Sequence, residues 1–485
     1  MDDYFDLVER QLGELVARGA HRRARVARRL PVRRIPATAV LLACSAAVAV
    51  AVAAAVLLNA RTAVRRPVTP SGALATHGSC ATAGRRLGSI AFAARGHLEL
   101  VDLSDCRMRR LAVGVGGDVR FSPDHRWVSY ARSVNGNPAG PYVVPVGGGA
   151  PRAPLGAGIL AWAWARSGES LYGLNGHGEL LQATPTGAVR VVARDLGVPA
   201  ASAYASAAPS PLGSRVAVDS SRCSRSPQEI ELRTVDVATG ERVAALRSAT
   251  EPVEFAGWSP DGRWLLYWPD ELCSASIAAD GMPLDAVAAA GGGRPIRAVG
   301  HMLLFPDYLS WCGQRLIAAA GSSRETQLGS RLVVTGPPTW RQRTIEPAGK
   351  LSWVSPACSP SGDLVAAAAG PSSQNPGFGR QHRSIWLLAP DGSGLRQLTA
   401  PPKSDLSDEA PQFSSDGRWI LFVRSRLVFV GASTTSRATL ELVPAAPGPA
   451  AAKPIPVASF TSSDVSYYDH FDWPTEIDWT AAAQR

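Results

Sequence analysis

The chain has 485 residues, of which 46% are apolar and 19% charged, with 46 Gly and 38 Pro. That balance excludes wholesale disorder, and the length exceeds one ordinary compact core unless the core grows by adding repeated units. The net charge of +10 is not a nucleic-acid footprint, because Arg18, Arg22, Arg23, Arg25, Arg28, Arg29, Arg33 and Arg34 crowd into one short segment and the remainder is close to neutral.

Residues 2–29 are predicted to form an amphipathic helix. Phe5, Val8, Leu12 and Leu15 recur at intervals of three and four, Asp2, Asp3, Asp6 and Glu9 open the segment, and arginines close it, matching the helix macrodipole. Such a helix either rests on anionic headgroups or docks a cytosolic partner. Residues 35–58, "IPATAVLLACSAAVAVAVAAAVLL", carry no charge over 24 positions and form a transmembrane-helix candidate. Eight arginines precede this stretch and only Arg61, Arg65 and Arg66 follow closely. The positive-inside bias therefore keeps residues 1–34 in the cytosol and the rest outside. Two rivals fit less well. A cleaved signal peptide needs a shorter leader, and a lipoprotein box at Cys44 does not suit an apolar run that continues past the cysteine. Residues 59–84 read as a linker rich in Arg, Pro and Ser.

From residue 85 onward one device recurs. "WSPDGRWLLYW" at 258–268 is a turn in which Pro presets φ, Asp261 bonds the nearby backbone and Gly262 takes positive φ, followed by a strand of bulky residues. It returns as "FSPDHRWVSY" at 121–130, "PSPLGSRVAV" at 209–218, "CSPSGDLVAAA" at 358–368 and "FSSDGRWILFV" at 413–423, and more faintly at 164–174 and 311–320. Gly168, Gly213, Gly262, Gly313, Gly362 and Gly417 hold the left-handed position, and His125 holds it in the remaining copy. Asp124, Asp261 and Asp416 are expected to cap these turns. Trp127, Ser170, Arg215, Trp264, Arg315, Leu364 and Trp419 mark the period, with separations of 43, 45, 49, 51, 49 and 55 residues. That spacing equals one four-stranded propeller blade. An incomplete copy begins at Gly88 without its first strand, which "YYDHFDWPTEIDWT" at the other end is placed to supply. The count is eight blades, with seven as the alternative. Trp127, Trp264 and Trp419 are expected to pack between blades.

"SPDGRWLLY", "SSDGRWILF" and "PDGSGLRQLT" resemble the TolB-type, WD40-like β-propeller repeat of bacterial envelope proteins, over roughly residues 85–482. The resemblance implies an all-β propeller acting as an extracytoplasmic interaction module. It implies no reaction and no cofactor.

Six cysteines lie beyond the span, an even set that suits an oxidising compartment. Repeat positions pair Cys312 with Cys358 and Cys223 with Cys273, leaving Cys80 for Cys106, one of 15 possible connectivities. No C-x-x-C or H-E-x-x-H metal motif and no G-x-S-x-G hydrolase motif occurs. The acidic stretch "SDLSDEAPQ", with Asp405, Asp408 and Glu409, is expected to be a solvated loop, with a calcium or basic-peptide site as its rival. The reading is therefore a membrane-anchored binding module for a protein, peptide or cell-wall ligand. Its alternatives are a transmembrane sensor acting through the cytosolic helix and a propeller enzyme acting on envelope carbohydrate.

Overall fold

The computed structural model describes residues 75–76, 87–134, 137–197, 205–219, 230–248, 253–269, 281–321, 330–345, 351–371, 382–430, 433–446, 453–462 and 471–480, all within the unit Leu74–Arg485. The helix expected at 2–29, the span at 35–58, Cys80, Cys223 and Cys273 lie outside the described residues. No helix among the described residues is long and apolar enough to cross a membrane.

Eight antiparallel sheets follow one another along the chain. Blade 1 consists of Ile477–Thr480, Ser89–Ala94, His97–Asp102 and Arg107–Val113, so its first strand comes from the far end of the sequence. Blade 2 has Arg120–Phe121, Trp127–Val134 and Asn137–Pro145. Its fourth position is reduced to a single bridge between Val143 and Arg152, where Pro151 and Pro154 remove ladder donors. Blades 3 to 7 each add four strands and begin with Ile159–Trp164, Ser206–Pro209, Val253–Trp258, Leu309–Cys312 and Leu351–Cys358. Blade 8 holds Ser407–Phe413, Trp419–Val430, Ser433–Pro444 and Ile455–Ser462, and Ala75–Thr76, from the segment read as linker, pairs with its outer strand.

The sheets close into a ring because side chains alternate across each strand and give every blade two apolar faces. Ala91, Leu98, Val128 and Tyr130 form one cluster between blades 1 and 2, and Val143, Trp164 and Leu171 another between blades 2 and 3. Leu174 and Val216 join blades 3 and 4, Ala217 and Leu265 join blades 4 and 5, and one larger cluster runs from blade 5 to blade 8. Phe92, Leu440 and Val457 complete the circuit between blades 8 and 1. The result is an eight-bladed β-propeller, and the seven-bladed alternative falls.

The turn chemistry is local and repeated. Gly168, Gly213, Gly262, Gly313, Gly362 and Gly417 have φ between +61° and +78°, and His125 has +59°. In blades 2, 5 and 8 the turn serine works both ways. The hydroxyls of Ser122, Ser259 and Ser414 donate to Asp124, Asp261 and Asp416 at 2.5, 2.5 and 2.6 Å. The same oxygens accept the N–H of Trp127, Trp264 and Trp419 at 3.0, 2.9 and 3.0 Å. Burial opposes ionisation of Asp416, but the Ser414 hydroxyl and the Arg418 N–H outweigh it and lower its pKa. In blade 7 the carboxylate has moved two positions along, to Asp363, which accepts from Ser359 at 2.8 Å. Trp127, Trp264 and Trp419 are half-buried against the clusters between blades. Arginines on outer strands tie neighbouring blades: Arg109, Arg190 and Arg396 donate to the carbonyls of Val146, Val237 and Ala445, each just past the third strand of the next blade.

Cys312 and Cys358 form a disulfide between the first strands of blades 6 and 7, with Cα atoms 5.4 Å apart. Cys106 is also disulfide-bonded.

Candidate functional site

First strands of blades 1 and 2, 3 and 4, 6 and 7, and 7 and 8 lie side by side, as strands on the inner wall of a propeller ring do. Four residues ahead of the turn serine in blades 2, 7 and 8, at Asp118, Ser355 and Ala410, the backbone is left-handed, with φ of +54°, +47° and +49°. In blades 7 and 8 this coincides with a register break, between Val354 and Ala357 and between Glu409 and Gln412. A bulge of this kind re-aims a side chain, and strained non-glycine residues cluster where a site is built. Their surroundings differ. Ser355 donates to Asp307 at 2.7 Å, and Ala410 is buried in the apolar cluster between blades 8 and 1. Asp118 instead lines a cavity.

That cavity, about 510 Å³, is bounded by Asp118, Arg120 and Phe121 of blade 2, residues 160–164 of blade 3, residues 205–208 of blade 4 and Phe255 of blade 5. Small side chains make the space: Ala161, Ala163, Ala205, Ala207 and Ala208 stand where bulkier residues would fill it. Trp162 and Phe255 are half-buried and add aromatic wall. Burial raises the pKa of Asp118, and the nearby Arg120 guanidinium pulls it back only in part.

Arg120 and Asp478 stitch this wall to the closing segment. Arg120 Nη1 donates to the carbonyl of its neighbour Val119 at 2.7 Å and also to that of Pro474. Asp478 accepts the N–H of Phe121 at 2.7 Å and that of Trp479 at 3.0 Å. Burial raises the pKa of Asp478, against the pull of Arg120, these amides and His125. Both oxygens of Asp478 are thus bound by backbone donors, whereas those of Asp118 make no hydrogen bond among the described residues.

The acidic stretch corrects the sequence reading. Asp408 and Glu409 are not in a solvated loop; they belong to the first strand of blade 8, where Arg424 of the next strand and Arg383, just ahead of a blade 7 strand, pair with them. Arg424 holds Asp408 in a forked contact at 2.6 and 2.8 Å, a geometry that suits guanidinium and carboxylate. Glu409 accepts from Arg383 of blade 7 at 2.9 Å and from the indole of Trp473 at 3.0 Å, fastening the closing segment. Only Asp405 stays exposed, 3.6 Å from Arg426. No cluster of His, Cys, Asp or Glu able to hold a metal ion occurs among the described residues. In the aromatic tail, Phe471 and Trp473 stack at 5.0 Å and the Trp479 indole donates to Leu87 at 2.7 Å, while Tyr467 and Tyr468 lie outside the described residues.

Asp118 and Trp162 were not singled out from sequence. The available signal was positional, since Asp118 stands at a fixed offset before the turn serine, on the stretch of each unit that faces the axis.

No protein-family profile matches the chain, and no curated protein does. Among solved structures it is similar to a putative TolB from Agrobacterium tumefaciens, at 14% identity and a TM-score of 0.33, covering 61% of this chain and 93% of that one. It is also similar to an oligogalacturonate lyase from Vibrio parahaemolyticus, at 11% identity and a TM-score of 0.41, covering 70% and 93%. TolB from Acinetobacter baumannii is similar at 14% identity and a TM-score of 0.30, covering 74% and 79%. The assignment as a propeller rests on the sheet order and the closed circuit of cores.

Proposed function

We propose that the protein is a membrane-anchored, extracytoplasmic binding module that captures a protein, peptide or cell-wall ligand at the cavity on the inner wall of its propeller. The cavity carries this reading. It is built by four blades, it has the volume of an ordinary ligand pocket, and it combines apolar and aromatic wall with one carboxylate free of internal hydrogen bonds. Asp478, which is not part of the cavity lining, binds the N–H groups of Phe121 and Trp479 through its two oxygens.

The anchor rests on the uncharged stretch at 35–58 and the arginines before it. Cysteine labelling with a membrane-impermeant reagent tests the topology, using a single reporter cysteine placed at residue 20 or at exposed Leu212. Labelling at 212 and protection at 20 in intact cells is expected; the reverse pattern refutes the orientation. Binding is tested by filling the cavity with Ala163→Trp and comparing photo-crosslinked partners of the variant and the parent on cells. Unchanged crosslinking overturns the site. Loss of the partners in a variant that keeps its unfolding midpoint supports it.

A further inference from the structure

Three features of the cavity wall combine. Asp118 is held at φ +54°, a region that Asn and Asp enter more readily than most non-glycine residues, at the same offset that puts Ser355 and Ala410 at left-handed positions. In those two blades the residue is absorbed by the protein itself, through the Asp307 contact and the apolar core. In blade 2 it offers carboxylate oxygens that accept no hydrogen bond from the described residues. The same cavity is lined by Trp162 and Phe255, whose rings take part in no aromatic pair or cation–π contact among the described residues, and by five alanines. Arg120, the cation on this wall, is engaged through Nη1 by the carbonyls of Val119 and Pro474 and makes no hydrogen bond to Asp118.

Asp118 is half-buried, so a cationic ligand that displaces water from it gains a charge-assisted bond, and an aromatic face attracts cations within about 6 Å. The wall offers one negatively charged acceptor and π faces. Resting on the binding function proposed above, we infer that the cavity receives the side chain of a lysine or arginine residue presented by a peptide. Its ammonium or guanidinium bonds Asp118, and its aliphatic stem lies against Trp162 and the alanines. The volume of about 510 Å³ admits one such side chain with its flanking backbone, whereas an extended chain of folded protein would not enter it.

The test uses the full-length chain in detergent micelles and two small probes of equal length, N-acetyl-lysine methylamide and its neutral counterpart N-acetyl-norleucine methylamide, titrated by calorimetry and by tryptophan fluorescence. The lysine probe is expected to bind at least tenfold more tightly than the norleucine probe. Asp118→Asn should remove about tenfold to a hundredfold of the lysine affinity and leave norleucine binding unchanged, as expected for losing a charge-assisted bond. Asn also tolerates the left-handed backbone, so this variant should keep the parent's unfolding midpoint. Equal binding of both probes, abolished by Ala163→Trp, overturns the cationic assignment while leaving the cavity a binding site. Lysine binding that survives Ala163→Trp overturns both readings, and failure of the lysine probe to bind at all overturns the cationic assignment.

Discussion

Blade 8 holds one carboxylate at a cost that neutral pH exposes. Asp408, Arg424 and Glu441 stand on its first three strands, with Arg424 bonded twice to Asp408 and 2.9 Å from Glu441. Their side chains are 0, 12 and 10% exposed, so one guanidinium serves two carboxylates almost without water. Burial raises the pKa of Glu441 from 4.5 to about 7; Arg424 opposes the rise and Asp408 adds to it. Because the folded-state value lies above the unfolded one, the neutral form of Glu441 supports the fold. That support is complete below about pH 4.5 and is lost as the pH climbs through about 7. The rise corresponds to about 3 kcal/mol on the alkaline side, at about 1.4 kcal/mol per pH unit. Glu441→Gln keeps the shape and removes the charge. It should therefore stabilise the protein at pH 8 by up to about 3 kcal/mol, or about 4 °C in melting midpoint for a domain of about 400 residues, and change little at pH 5. The assay is a melting midpoint measured from pH 5 to 8 on parent and variant, with the difference between them read at each pH so that other titrating groups cancel. A difference that stays flat across this range, or a variant less stable at pH 8, refutes the account of a charge shared by one arginine.

Other consequences can be checked in the same unfolding assay. Gly262→Ala should cost about 1–2 kcal/mol through backbone strain alone, because a Cβ there meets only ordinary contacts, 3.6 Å from Leu212; a neutral result would show the turn can relax. Trp473→Phe preserves the stack on Phe471 but deprives Glu409 of its indole donor, for a loss of about 1–3 kcal/mol, and an unchanged midpoint would mean the closing segment is held by packing only. Replacing both Cys312 and Cys358 by Ser opens a link spanning 46 residues and should lower stability by about 2–4 kcal/mol; equal midpoints for parent and variant under oxidising conditions would contradict this. Arg396→Leu removes the bond to the Ala445 carbonyl and should cost about 1–2 kcal/mol, with loss confined to the seam between blades 7 and 8 when followed by hydrogen exchange.

Much of the architecture was legible in the amino-acid sequence because the turn is a local object. Ser259, Asp261, Gly262 and Trp264 satisfy one another within six residues, so their chemistry can be read without knowing any neighbour, and its recurrence sets the blade length. The missing first strand of blade 1 was legible for the same reason, since an incomplete copy at one end calls for a complement at the other. What the acidic residues do was not legible. Asp408 and Glu409 look like any polar loop until Arg424 and Arg383 are brought beside them by strands that follow or precede them in other parts of the fold. Asp118 likewise shares its local spacing with Ser355 and Ala410, yet only the convergence of four blades, and a closing segment more than 350 residues away that occupies Arg120, leaves its carboxylate facing open space. Sequence determined the repeating backbone because φ preferences and short-range hydrogen bonds act over a few residues. Tertiary structure decided which charges are paired and which line open space, because burial and pairing depend on groups distant along the chain.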